Sequence, residues 1–174
     1  MRFMIVQQAR LVIAGAFLAA GASAWFCTGC KPSAEKQAVL QQRLAQEIED
    51  QFAKIQESRT QGQLSEALAR TDAALANPRF AAQKTRFFTL KIELVLAQAK
   101  EAAAEDLVIG AWPKDPQAAK ETSVLIHNHY LQRNNQAASL AWCKRLLDLG
   151  PALPEDLRNQ ALAWRLTSAL SLAD

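Results

Sequence analysis

The sequence predicts an all-α protein, a short solenoid of antiparallel helix hairpins with about seven helices. Three observations carry this expectation. Beyond Lys31 the chain is dominated by Ala, Leu, Gln, Glu and Lys, most of them strong helix formers. The alternating pattern of a half-buried strand is missing, and Val and Ile are scarce. Apolar residues instead recur at three- and four-residue steps, in blocks separated by Gly, Pro and Asn. Short helices joined by tight breaks pack as antiparallel neighbours, because each has one apolar stripe and nowhere else to bury it.

The first 29 residues differ in composition from the rest and read as an address. Arg2 and Arg10 form a positive start, and Leu11 to Phe26 is a run without a charged side chain, the layout of a signal peptide. A membrane span needs about 20 apolar residues, and this run is shorter and rich in Ala and Gly. Cys27-Thr28-Gly29-Cys30 resembles the lipobox of bacterial lipoproteins, with Cys27 standing where that family usually carries Leu. The resemblance implies lipidation of Cys30 as the first mature residue, a short tether over residues 30–33 and a helical domain over 34–174. Two acyl chains bury enough methylene, at about 0.8 kcal/mol each, to make such an anchor effectively permanent. Cleavage after Ala22-Ser23-Ala24 is the alternative, and it would leave a Cys-x-x-Cys pair near a start at Trp25. Lys31 after the modified cysteine resembles chains exported to the outer membrane.

Ser33 reads as the N-cap of a first helix to about Arg59, with Leu40, Leu44, Ile48, Phe52 and Ile55 as its stripe. Thr60-Gln61-Gly62 breaks it, and a second helix runs from about Leu64 to Ala76, stopped by Asn77-Pro78. A third, strongly apolar segment extends from Phe80 to about Ala99, and a fourth from Glu101 to Ala111. The stretch AQAKEAAA between them contains no Gly, Pro or Asn, so local propensity alone favours one long helix. Such a rod would expose Phe87, Phe88, Leu94, Leu107 and Val108, so a break is expected near Lys100. The fifth helix spans Gln117 to Arg133, the sixth Ala137 to Leu149, and the seventh starts near Pro154 and ends near Ala173.

Gln61 to Pro78 resembles the second half of a tetratricopeptide repeat, with Gly62 at the turn, Ala67 and Ala74 seven apart and a closing proline. Methyl-sized side chains let the two helices of a pair approach closely. Pro78, Pro116 and Pro151 recur 38 and 35 residues apart, against a family period of about 34. Ala104 and Ala111 take the small positions of the second unit, one residue further from their proline than in the first; in the third, Ser139 and Leu146 replace the alanines. The resemblance covers about Glu47 to Pro151 and makes the last helix a cap, whose outer face should be polar. An irregular helical bundle without true repeats is the alternative. By the same resemblance, a partner groove is lined by Phe52, Gln56 and Arg59 in the first pair, Arg86, Thr89, Glu93 and Leu96 in the second, and Val124, Asn128 and Leu131 in the third. Phe52 and Gln56 stand where a Lys and Asn carboxylate clamp would begin, so a helix or extended peptide suits this groove better than a free C-terminus.

Residues 31–174 hold 18 basic and 17 acidic side chains, with no basic block and few interleaved aromatics, which speaks against nucleic acid. Cys143 has no partner cysteine in that region and reads as a small buried hydrophobe. His127 and His129 lie two apart, on nearly opposite sides of a helix, so they cannot chelate one ion and are read as solvated or groove-lining. Glu47, Glu49 and Asp50 form an acidic cluster expected to pair with Arg43 and Lys54. No phosphate loop, Gly-x-Ser-x-Gly elbow or His-Glu-x-x-His motif occurs, so no catalytic residue, metal, cofactor or small-molecule substrate is expected. The function this supports is an envelope lipoprotein that binds another envelope protein or peptide through a groove; a structural helical-bundle lipoprotein with no groove ligand is the alternative.

Overall fold

The structure, a computed structural model, describes residues 34–173. The signal segment, Ser33, Cys30 and the Ala22-Ser23-Ala24 alternative lie outside the described residues. Within them the chain is all-α: α1 (Ala34–Thr60), α2 (Leu64–Ala76), α3 (Lys84–Ala97), α4 (Glu101–Ala111), α5 (Pro116–Gln132), α6 (Gln136–Leu147) and α7 (Glu155–Ser171). Short 3-10 helices at Pro78–Gln83 and Gly150–Ala152 lead into α3 and α7. The first of these delays the third helix from Phe80 to Lys84. The Asn77 side chain accepts the Arg79 N–H at 3.0 Å beside Pro78, and Phe80 is buried in the core before the α-helix begins.

Helices α1, α3 and α5 end in the same turn. Gly62, Ala99 and Asn134 each take a left-handed backbone, with φ of 76°, 55° and 53°. The N–H after each donates to the carbonyl five residues back, as in Gln63 to Ser58, Lys100 to Val95 and Asn135 to Tyr130. Each turn residue's own N–H donates three back, to Arg59, Leu96 and Leu131. This is the Schellman arrangement, which satisfies carbonyls a helix end leaves open. The break near Lys100 is therefore present, although Ala99 has no intrinsic liking for it. A left-handed Ala costs about 1–2 kcal/mol, and burying Val108 alone, which α4 achieves by folding back, contributes about 1.5–3 kcal/mol.

The turns place the helices in two layers. Phe52 and Phe87 stack with ring centroids 4.2 Å apart, and ion pairs Arg59–Glu93 and Arg86–Glu49 join residues 34 and 37 apart, so α1 and α3 run parallel. Trp164 stacks on His127 at 4.1 Å, and Lys120 pairs with Asp156, which sets α7 parallel to α5. Because α3 packs directly on α5, the four odd-numbered helices form one layer, with α2, α4 and α6 antiparallel behind it. Ala67, Ala104 and Ser139 follow the three turns by the same number of residues, and all are fully buried.

The core has two lobes that share α3. Phe87, Leu90 and Leu94 join Ile48, Phe52, Ile55, Ala67, Ala74 and Phe80 on one side. Ile92, Val95 and Leu96 join Val108, Trp112, Ile126, Trp142 and Leu157 on the other. Polar ties fix the second lobe: Tyr130 Oη donates to Glu105 at 2.6 Å, Arg145 holds Glu105 at 2.5 Å and Asp106 at 2.7 Å, and Trp142 Nε1 donates to the Ser123 carbonyl at 3.1 Å.

Three expectations are corrected. Leu40 is 60% exposed, because α1 is about twice as long as α2 and its first turns have no helix opposite among the described residues. The acidic cluster does not pair with Arg43 and Lys54: Glu47 and Glu49 reach Arg79 and Arg86 of the next hairpin, and Asp50 accepts from Gln46. The outer face of α7 is not polar, since Leu162, Leu166 and Leu170 are 48%, 63% and 59% exposed.

The turn geometry sets a pair of opposed outcomes for equilibrium urea unfolding. Ala99→Gly relieves the left-handed strain and is expected to stabilise by about 1 kcal/mol, whereas Gly62→Ala, with nothing within 4 Å of the added carbon, should cost about as much. A destabilising Ala99→Gly would show that strain at this turn is not what the chain tolerates.

Candidate docking groove

The expected groove positions form rows across the odd-numbered layer. Phe52, Thr89 and Val124 precede Gly62, Ala99 and Asn134 by equal numbers of residues, as do Gln56, Glu93 and Asn128, and Arg59, Leu96 and Leu131. The shared turn therefore puts corresponding side chains side by side on α1, α3 and α5. A cleft of about 470 Å³ between α1 and α3 is lined by Phe52, Gln56, Arg86, Thr89 and Glu93. A second, of about 620 Å³ between α3 and α5, is lined by Arg59, Glu93, Leu96, Val124 and Asn128. Nine of the ten positions thus line two adjoining clefts, which share Glu93 and Glu121. Leu131 is the exception: it is 40% exposed and lines neither.

Sequence reasoning missed Glu121, which stands at the junction of the two clefts. It belongs to the row of Glu49 and Arg86, because all three precede their turns by the same number of residues. The repeat resemblance points to Arg86 alone in that row; completing the row is the signal that finds Glu121. Gln132 and Arg133, also missed, line the second cleft from the end of α5, beside His129.

Charges along the groove are mostly spoken for within the chain. Arg86 pairs with Glu49 at 2.6 Å while its guanidinium lies 3.7 Å over the Phe52 ring, so the cation, Phe52 and Phe87 form one stack. Arg59 pairs with Glu93 at 2.7 Å, and Arg133 and His129 both reach Glu101 at 3.4 Å. The backbone N–H at the start of α4 holds the Glu101 carboxyl below the usual carboxylate range, with His129 adding to it. Glu121 has only an amide neighbour, accepting from Gln117 at 2.7 Å. What remains for a ligand is a set of exposed amides, Gln56 and Asn128, beside the half-buried Val124, while Phe52 and Leu96 are buried beneath the groove floor.

The two histidines separate as their spacing requires, though not both as expected. His129 lines the second cleft, but His127 is buried, stacked on Trp164 and 3.1 Å from Ser139 Oγ, which in turn lies 2.9 Å from Ser168 Oγ. It is neither solvated nor groove-lining, because α6 and α7 close over that side of α5. Cys143 is also fully buried, and burial pushes its thiol up to about 11, so it stays protonated at neutral pH. Among the described residues no three His, Cys, Asp or Glu side chains converge to hold a metal ion.

Burial lowers the His127 pKa from its usual value of 6.5. Between the two values the unfolded chain binds more protons than the folded one, so stability falls with pH once it drops below the unfolded value. Urea midpoints measured from about pH 7.5 to about pH 5.5 should therefore decline, and His127→Gln should flatten the decline. An unchanged slope in the variant would place the titrating group elsewhere. No family profile, no curated protein and no solved structure matches the chain.

Proposed function

We propose that the protein is an exported, lipid-anchored interaction module of tetratricopeptide-like plan, which holds a helix or extended peptide of another envelope protein in the groove of α1, α3 and α5. One observation carries the reading: nine of the ten positions carried over from the repeat resemblance meet in two adjoining clefts. The equal turns at Gly62, Ala99 and Asn134 support it, because they give successive hairpins a common register. Exposed amides next to apolar patches suit a peptide backbone, as in helix-in-groove and extended-peptide recognition. No catalytic role is proposed for any side chain. The anchor belongs to Cys30, with the outer membrane as its destination by the resemblance at Lys31.

A second reading, a structural lipoprotein whose partner is itself, is favoured by one feature: the leucine stripe on the outer face of α7. Crosslinking in intact cells separates the two. The groove reading expects a stoichiometric partner that is lost when Gln56→Arg and Asn128→Arg are combined, both side chains being exposed and free of intramolecular hydrogen bonds. Crosslinks to the same chain only, abolished by Leu162→Glu with Leu166→Glu, would establish the second reading instead. The anchor is tested separately: inhibiting the lipoprotein signal peptidase should raise the mature mass, and an unchanged mass would remove Cys30 lipidation.

A further inference from the structure

We infer that the opposite face carries a second docking site, the cleft between α2 and α4 over α3, and that its occupant is an acidic amphipathic helix of a partner protein. This cleft holds about 1040 Å³ of open space, more than either groove cleft. Its floor and walls are apolar, built from Leu68, Leu75, Phe88, Val95 and Leu107, and the half-buried Phe88 lies in it because α3 presents apolar side chains to both layers.

The rim is unbalanced in charge. Of the carboxylates there, Asp72 pairs with Lys91, Asp106 with Arg145, and Asp115 caps α5 by accepting the Ala118 N–H. Lys84 and Lys114 are exposed without a carboxylate partner, and Lys100 has only the Gln98 amide. Three ammonium groups thus face the single carboxylate of Asp115 across an apolar trough, a positive surplus that complements a helix with leucines on one face and carboxylates on its flanks.

Gly110 supplies an independent observation. It sits inside α4, where glycine weakens a helix, with an ordinary negative φ and open space where its side chain would be. Together with Ala103 and Leu107, at helical steps before it, it forms the α4 wall of the trough, and a missing side chain lets another backbone approach closely. The shape also selects among ligands. A small molecule needs enclosure on most sides, which an open trough does not give, and a flat bilayer cannot reach the floor between two helices.

The test uses the full chain and a labelled 18-residue peptide designed with leucines on one face and glutamates on both flanks, beside a twin with lysines for glutamates. Fluorescence anisotropy should show binding of the acidic peptide and at least about tenfold weaker binding of the twin, with affinity falling as salt rises. Lys84→Glu with Lys114→Glu should lower affinity for the acidic peptide by at least about tenfold, and Gly110→Leu should do the same. Because the added Cβ meets nothing within 4 Å and leucine is the better helix former, Gly110→Leu should raise the melting temperature, so its loss of binding cannot be unfolding. Failure of the acidic peptide to bind, equal binding of the twin, or full affinity in the Gly110→Leu variant would each overturn the assignment.

Discussion

Everything in this fold turns on α3 having to bury two faces at once. Phe87, Leu90 and Leu94 belong to one lobe of the core, and Ile92, Val95 and Leu96 to the other. A helix apolar on most of its circumference is stable only inside a protein, so α1 and α2 must cover one side and α4 and α5 the other. That demand is what bends the chain at Ala99, against local propensity. It also sets the two-layer plan, because helices returning over a buried neighbour on both sides leave the odd-numbered helices parallel and adjacent.

The common turn then converts a fold into a surface. Since Gly62, Ala99 and Asn134 stop their helices in the same conformation, side chains at equal distances before them fall into rows. Proline spacing was a poorer guide to register than these turns. Counted from the turns, Ala104 and Ser139 are followed by Pro116 and Pro151 at the same interval, while Pro78 comes one residue sooner after Ala67. The irregular step therefore lies where α2 leaves for the 3-10 helix at Pro78–Gln83, outside the hairpins, and does not disturb the rows. Small residues at the crossings tolerate chemical change within limits of size. In the third hairpin the small position is Ser139, and it meets His127, a polar contact shared with Ser168 of α7.

How much of this was legible in the sequence follows from the range of each signal. Helix existence and most helix ends were readable, since periodicity and Gly, Pro or Asn breaks are local; α2 and α4 match their expected limits residue for residue. Groove positions were readable through the repeat resemblance, except Leu131, whose exposed side chain stays out of the second cleft while Gln132 and Arg133 beside it line it. What could not be read was anything decided by a partner about one repeat away. Glu47 and Glu49 have nearby cations on their own helix, yet they pair with Arg79 and Arg86, because side-by-side helices bring those within reach. The burial of His127 was hidden for the same reason: only the docking of α6 and α7 removes that side of α5 from water. The leucines on α7 defeated a rule about solenoid caps, which describes what an exposed end should be rather than what this sequence contains.

The two faces of the helical layers differ most in how their charges are matched. On the groove side Arg59 and Arg86 have carboxylates from a neighbouring helix, and Arg86 also has the Phe52 ring. Exposed pairs of this kind add at most about 1 kcal/mol each to stability, but they neutralise the wall and leave recognition to amides and apolar patches. On the opposite side Asp72 is taken by Lys91 and Asp106 by Arg145 of α6, so Lys84, Lys100 and Lys114 stand over apolar surface with only the helix-capping Asp115 against them. A matched wall accepts partners by shape; an unmatched one selects them by sign, and its selectivity is screened by salt. The same two-sided burial of α3 underlies both, since its residues line the groove on one side and floor the lysine-rimmed trough on the other.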